Sequence, residues 1–175
     1  MTSSLRLPKS IADDPRAPLL LHALKNANRP LWPGGVLKVR EAQLRHDLQD
    51  VLRTAHHAGR IARSLEKAEE KLAAEMRGMQ MADAKSGIRR GVRISRLLLL
   101  TNDGAERFYR QVEALLRRHG QRVVAVRFTC DAEALGTTLY GTGRSARLLM
   151  VEHKAAVGAI LLRLADQWAH PDVKV

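Results

Sequence analysis

The chain has 175 residues, 45% hydrophobic and 3% aromatic, which suits one domain with an extension and a core built mostly from Leu, Val, Ile and Ala. Lys and Arg number 30 against 18 Asp and Glu, a formal net charge of +12, and that excess points to nucleic acid ahead of an acidic membrane or protein surface. A single cysteine, Cys130, excludes an internal disulfide framework and a Cys-rich metal site, while the absence of a long apolar run or of a signal-peptide core predicts a reduced, cytoplasmic protein with no membrane partner.

Residues 1–36 hold five of the six prolines, Pro8, Pro15, Pro18, Pro30 and Pro33. Each blocks a helix interior, so this stretch reads as an extended or disordered arm, with one short turn of helix from Leu19 to Lys25. Residues 37–175 read as a single domain. From Leu37 the pattern turns helical. Val39, Leu44, Leu48, Val51, Leu52, Ala55, Ala58 and Ile61 trace a stripe of i, i+3, i+4 steps, and a long helical segment over 38–78 is predicted. His46, His56 and His57 do not make a metal site. His56 and His57 are adjacent and point about a third of a turn apart, and no further ligand stands near them.

The densest basic run is Lys85-Ser-Gly-Ile-Arg89-Arg90-Gly-Val-Arg93-Ile-Ser-Arg96. It feeds into Leu97-Leu-Leu-Leu100, a short apolar run that suits a strand buried on both faces, with Leu98 and Leu99 on opposite sides. Asn102-Asp103-Gly104 is a turn and a helix cap. Ala105, Phe108, Tyr109, Val112, Leu115 and Leu116 then share one helix face, with Arg107, Arg110, Glu113, Arg117 and Arg118 off it, and Gly120 ends the helix. Arg122–Phe128 is a second strand, so the unit is strand–helix–strand and its two strands are parallel. A short helix capped by Asp131, a flexible loop over Tyr140–Ala146, a third strand over Arg147–Val151 and a last helix over His153–Trp168 complete the chain.

No combination of motifs specifies a reaction. Gly141-Thr-Gly-Arg144 precedes a strand, whereas a phosphate-cradling loop follows one and opens a helix. Asp103, Cys130 and Asp131 lie at the strand carboxyl ends, where α/β sheets place ligands. Asp103 reads as a cap and Cys130 as a structural thiol with no base in reach. No catalytic residue, metal ligand or cofactor is assigned.

Several segments together resemble a known family. Val51-Leu-Arg-Thr-Ala-His-His-Ala-Gly59-Arg-Ile is similar to the small-residue, glycine-ended helix of the L-seven-Ae and L-thirty-e superfamily of kink-turn RNA-binding ribosomal proteins. Gly87 to Asp103 resembles that family's helix end, glycine and strand closed by an acidic residue. Gln121–Phe128 with Glu133-Ala-Leu-Gly136 resembles its second strand and following helix. The resemblance spans about residues 48–168. It implies an α/β fold, a three-layer α/β/α sandwich on a small, mostly parallel sheet, and RNA binding without catalysis. The family grips RNA with the start of the helix before the central strand and with the loop before the last strand. These regions correspond to about 82–90 and 139–146 here. The family's Asn-Glu pair is not evident at that helix start.

Three functions follow from these readings. The first is non-catalytic binding of structured RNA in a ribosome-related or other ribonucleoprotein setting, with Lys85, Arg89, Arg90, Arg93, Arg144 and Arg147 contacting RNA and with ribosomal or other ribonucleoprotein subunits as further partners. Arg89, Arg90, Arg93 and Arg144 are expected to form one RNA-facing surface. The second is a protein-interaction or assembly module that uses the 38–78 helix. The third is a small α/β enzyme with a site at the strand carboxyl ends.

Overall fold

The computed structural model describes residues 4–88 and 91–172. Its centre is the run of leucines. β4 (Arg96–Leu100) is followed by α4 (Glu106–His119) and by β5 (Val123–Phe128), which lies parallel to β4 with Leu98 opposite Ala125. β6 (Leu148–Val151) lies antiparallel on the other side of β4, with Leu98 opposite Met150. All four leucines from 97 to 100 are fully buried. Alternation sends Leu97 and Leu99 to one face and Leu98 and Leu100 to the other, and each face has its own core.

The remaining elements complete a six-stranded sheet in the order β1-β2-β5-β4-β6-β3. β1 is Arg29–Pro30, β2 is Lys38–Ala42 and β3 is Ile61–Arg63. Parallel pairing holds for the central β2–β5–β4 trio, and β1, β6 and β3 are added antiparallel. One face is covered by α1 (Ala17–Lys25), α2 (His46–His57), α5 (Ala132–Tyr140) and α6 (Lys154–Ala169), through Leu20, Leu48, Leu52, Leu135, Val157, Ile160 and Leu161. The other face is covered by α3 (Leu65–Ser86) and α4, through Leu65, Ala68, Leu72, Val112 and Leu115. This is the expected three-layer α/β/α sandwich on a single open sheet.

Three expectations are corrected. The helical stripe from Leu37 to Met79 is not one helix but strand, helix, strand and helix (β2, α2, β3, α3). Apolar spacing reads through Ala58-Gly59, but Gly59 takes φ +70°, and the Arg60 N–H closes back on the Ala55 carbonyl, so α2 ends there. An assembly surface built on a continuous 38–78 helix is therefore lost. Residues 4–36 are not an extended or disordered arm. Leu7, Ile11, Ala17, Leu20 and Leu31 are all buried, and α1 packs on α6. Pro18 sits in the first turn of α1, where its missing N–H costs nothing, so the short turn expected at Leu19–Lys25 is a helix over Ala17–Lys25.

Glu113 is the third correction. Helical periodicity placed it on the solvent side of α4, yet it is buried. Its carboxylate accepts from Trp32 Nε1 at 2.8 Å and from the backbone N–H groups of Val36 and Leu37 at 2.7 and 2.6 Å. These bonds, that from Leu37 foremost, outweigh burial and hold the carboxyl below its ordinary range. Arg110 stacks 4.5 Å over the Trp32 ring, so the turn before β2 is fastened to α4.

Candidate nucleic-acid interface

α2 ends at Gly59, and β3 then joins the sheet edge by pairing with β6, Arg63 opposite Leu149. The chain enters α3 through Ser64, which has φ +88° and ψ 153°, a conformation that is nearly glycine's alone. Its N–H bonds the Leu148 carbonyl at 3.2 Å and its hydroxyl accepts from the Lys67 N–H. The start of α3 is thus tied to the end of the loop before β6.

That loop, residues 141–147, lies back along α5. A Cβ on Gly136 would collide with the Arg144 carbonyl oxygen, so only glycine admits the loop at this point. The Ala146 N–H bonds the Ala132 carbonyl at 2.9 Å. Arg63 donates from Nη2 to the Ser145 carbonyl and lies 4.7 Å over the Tyr140 ring, whose edge meets His56 at 4.9 Å. Arg63, Arg144 and Arg147 are exposed, and Arg60, whose carbonyl accepts from the Glu152 N–H, is half-buried at the opposite, amino end of β3. No carboxylate stands within ion-pairing distance of any of the four among the described residues, whereas Arg16, Arg96, Arg110, Arg122 and Arg127 are all paired.

The other sequence-named residues lie elsewhere. β6 runs antiparallel to β4 and the Thr101 N–H bonds the Arg147 carbonyl, so Arg144 and Arg147 sit at the carboxyl edge of β4. Arg93 precedes β4 at its amino edge, where its Nη1 bonds the Leu7 carbonyl at 3.0 Å. Lys85 is exposed in the last turn of α3, beyond the point where Glu75 holds Arg96 and Arg122 at that same amino edge. Arg89 and Arg90 lie outside the described residues. The single surface that was to unite Arg93 with Arg144 is not present, because antiparallel pairing puts a loop before β6 opposite the end of β4 rather than its start. For the same reason the helix start beside the loop is 64–67, and 82–88 is the end of that helix.

Arg60 and Arg63 were not singled out from sequence, since both lay inside an apparent helix. The helix that ends at Tyr140 also reaches farther than its capping signal indicated.

The strand carboxyl ends carry a different chemistry. The Asp103 carboxylate accepts from the Thr101 hydroxyl at 2.7 Å and from the Ala132 N–H at 3.1 Å. It therefore serves the start of α5 rather than capping α4, whose N-cap is Ala105. Burial alone would raise its pKa, and these hydrogen bonds turn the shift downward. Asp131 caps α5 as expected, accepting from the Ala134 N–H at 2.8 Å. Burial pushes the Cys130 thiol up to about 11, with Asp131 and Asp103 adding to it, so it stays protonated and a poor nucleophile at neutral pH. It borders an open groove of about 460 Å³ lined by Gln43, Leu44, Gln49, Thr129, Ala134 and Thr138, none of them charged. Among the described residues, no three His, Cys, Asp or Glu side chains gather as a metal site, and no helix is long and apolar enough to cross a membrane.

No family model and no curated protein matches the chain. Among solved structures it is similar to a protein of unknown function from Bacillus halodurans, with 18% identity over 69% of this chain and 97% of the other, at a TM-score of 0.40.

Proposed function

We propose that the protein is a non-catalytic RNA-binding protein and that its RNA surface is the carboxyl edge formed by Arg63, Arg144 and Arg147, with Arg63 over Tyr140. The observation that carries this reading is the set of three exposed arginines with no carboxylate at ion-pairing distance among the described residues, mounted on a backbone held by Gly136 and by the Ser64–Leu148 bond. An arginine fork pairs with phosphate oxygens or a guanine edge, and a preordered scaffold lowers the entropy lost on binding. The resemblance supports this choice through the loop before the last strand, about 139–146, which carries Arg144, whereas its other region, about 82–90, falls at the end of α3. Structured RNA within a ribonucleoprotein is the substrate class that fits, and kink-turn RNA is the first to try.

The test is a binding titration of structured and single-stranded RNA at several salt concentrations. Arg63→Ala with Arg144→Ala should weaken binding and flatten the salt slope by about one to two units if both meet phosphate. Both side chains are exposed, so the melting temperature should fall by a few degrees at most, through loss of the Arg63 contacts with the Ser145 carbonyl and Tyr140, and Arg144→Ala alone should leave it unchanged. Equal affinity for parent and double variant would overturn the reading.

A second reading, a protein-assembly module, has one observation in its favour. Beyond Leu72 no residue of α3 is buried, and Met79 and Met81 are 42% and 64% exposed.

A further inference from the structure

The amino edge of the sheet carries its own set of cations. We propose that it holds a second segment of RNA, so that one chain bridges two segments. This rests on the RNA-binding reading above.

The edge is assembled from four segments. Glu75 clasps Arg96 and Arg122 at 2.8 and 2.7 Å, which fixes the middle of α3 against the starts of β4 and β5. Past that clasp, α3 presents Arg77 and Lys85, both exposed. The N-terminal segment runs alongside, its Arg6 carbonyl accepting from the Ile94 N–H at 2.8 Å and its Leu7 carbonyl from Arg93. A Cβ on Gly91 would fall 2.7 Å from Arg6 Nη1, so glycine leaves room for the guanidinium to lie on the backbone. The last turn of α4 adds Arg118, also exposed. Among the described residues, none of Arg6, Arg77, Lys85, Arg93 and Arg118 has a carboxylate at ion-pairing distance. Glu75 is committed to the half-buried Arg96 and the buried Arg122.

The two edges are separate sites. Arg93 lies eight residues before Thr101, the residue bonded to Arg147, so they stand on the order of 25 Å apart at the rise of an extended chain. An arginine fork reaches only the phosphate next to it. Between the edges α3 shows Glu66, Glu69 and Glu70 among Lys67 and Lys71, so α3 offers no unbroken basic track from one to the other.

RNA suits the amino edge better than an acidic protein does. Its segments contain no Trp, Tyr or Phe, the anchors on which protein interfaces centre. Spaced cations, four of the five arginine, match the spaced charges of a phosphate backbone.

The test titrates the full chain with a short RNA hairpin and counts hairpins bound per chain by sedimentation velocity. Two per chain are expected. The triple variant Arg6→Ala, Lys85→Ala and Arg118→Ala should bind one, with unchanged thermal unfolding, and Arg63→Ala with Arg144→Ala should also bind one. One hairpin per parent chain, unaffected by the triple variant, overturns the second site and leaves the carboxyl-edge reading standing. No binding by the parent overturns both. Poly-glutamate that binds the parent and loses affinity in the triple variant, where the hairpin does not, assigns the edge to an acidic protein and overturns the proposal.

Discussion

Ser64 is the residue whose backbone departs furthest from its chemistry. It is the only non-glycine residue with positive φ among those described, and it stands where β3, α3 and the loop before β6 meet. A non-glycine residue in that region costs on the order of 1–3 kcal/mol, while exchanging a serine cap for glycine costs a few tenths. Ser64→Gly should therefore stabilise the protein by about 1 kcal/mol, a rise of a few degrees in calorimetry. An unchanged or lower melting temperature would show that the Ser64 hydroxyl matters more than the strain. His119 is a second residue with a measurable cost. It is buried, and neither ring nitrogen has a partner. Burial, aided by Arg122 and Arg118 and opposed by Glu75, lowers its pKa below the ordinary 6.5. The unfolded chain then binds a proton more readily than the folded one, so stability is full above that value and falls as the pH drops below it. Melting temperatures measured across pH 6.5 should show this loss, and His119→Leu should flatten it.

At the scale of elements, the molecule is held together by contacts far apart in sequence. α1 seats Leu20, fully buried, in the core shared with α2 and α6, and Arg16 bonds Asp166 of α6 at 3.0 Å. Leu20→Ala should cost about 2–5 kcal/mol by denaturant unfolding. A chain beginning at Trp32 loses Leu7, Ile11, Leu20 and Leu31 together and should fail to fold or melt more than about ten degrees lower. Equal melting of the shortened and full chains would return these residues to the status of an arm. The clasp on Glu75 works in the same way. Burial would raise the Glu75 pKa, but the hydrogen bonds from Arg122 and Arg96 prevail and hold it low. α3 is pinned at its middle and left open beyond.

For the whole molecule, the formal net charge of +12 is the property that bears on a polyanionic partner. Affinity for a polyanion should then fall steeply with salt, since each phosphate contact releases a counterion. Protein purified at low salt without nuclease should carry RNA with it, visible in the ultraviolet absorbance ratio and removed by ribonuclease or high salt. A preparation free of nucleic acid under those conditions would count against the RNA reading at both edges.

Local sequence determined the strand–helix–strand unit at 96–128, the opposed burial of Leu98 and Leu99, the ends set by Gly120 and Asp131, and the last strand and helix. These depend on periodicity and capping among near neighbours, which a single segment carries in itself. Only the tertiary structure decided the rest. The stripe from Leu37 to Met79 satisfies helical spacing, yet pairing with β5 and β6 draws two pieces of it into the sheet. Glu113 is buried because Trp32, Val36 and Leu37 come to meet it across 76 to 81 residues of sequence. The basic residues were legible as residues, but their division between two edges follows from the antiparallel direction of β6, and strand direction is set by pairing partners that no local pattern contains.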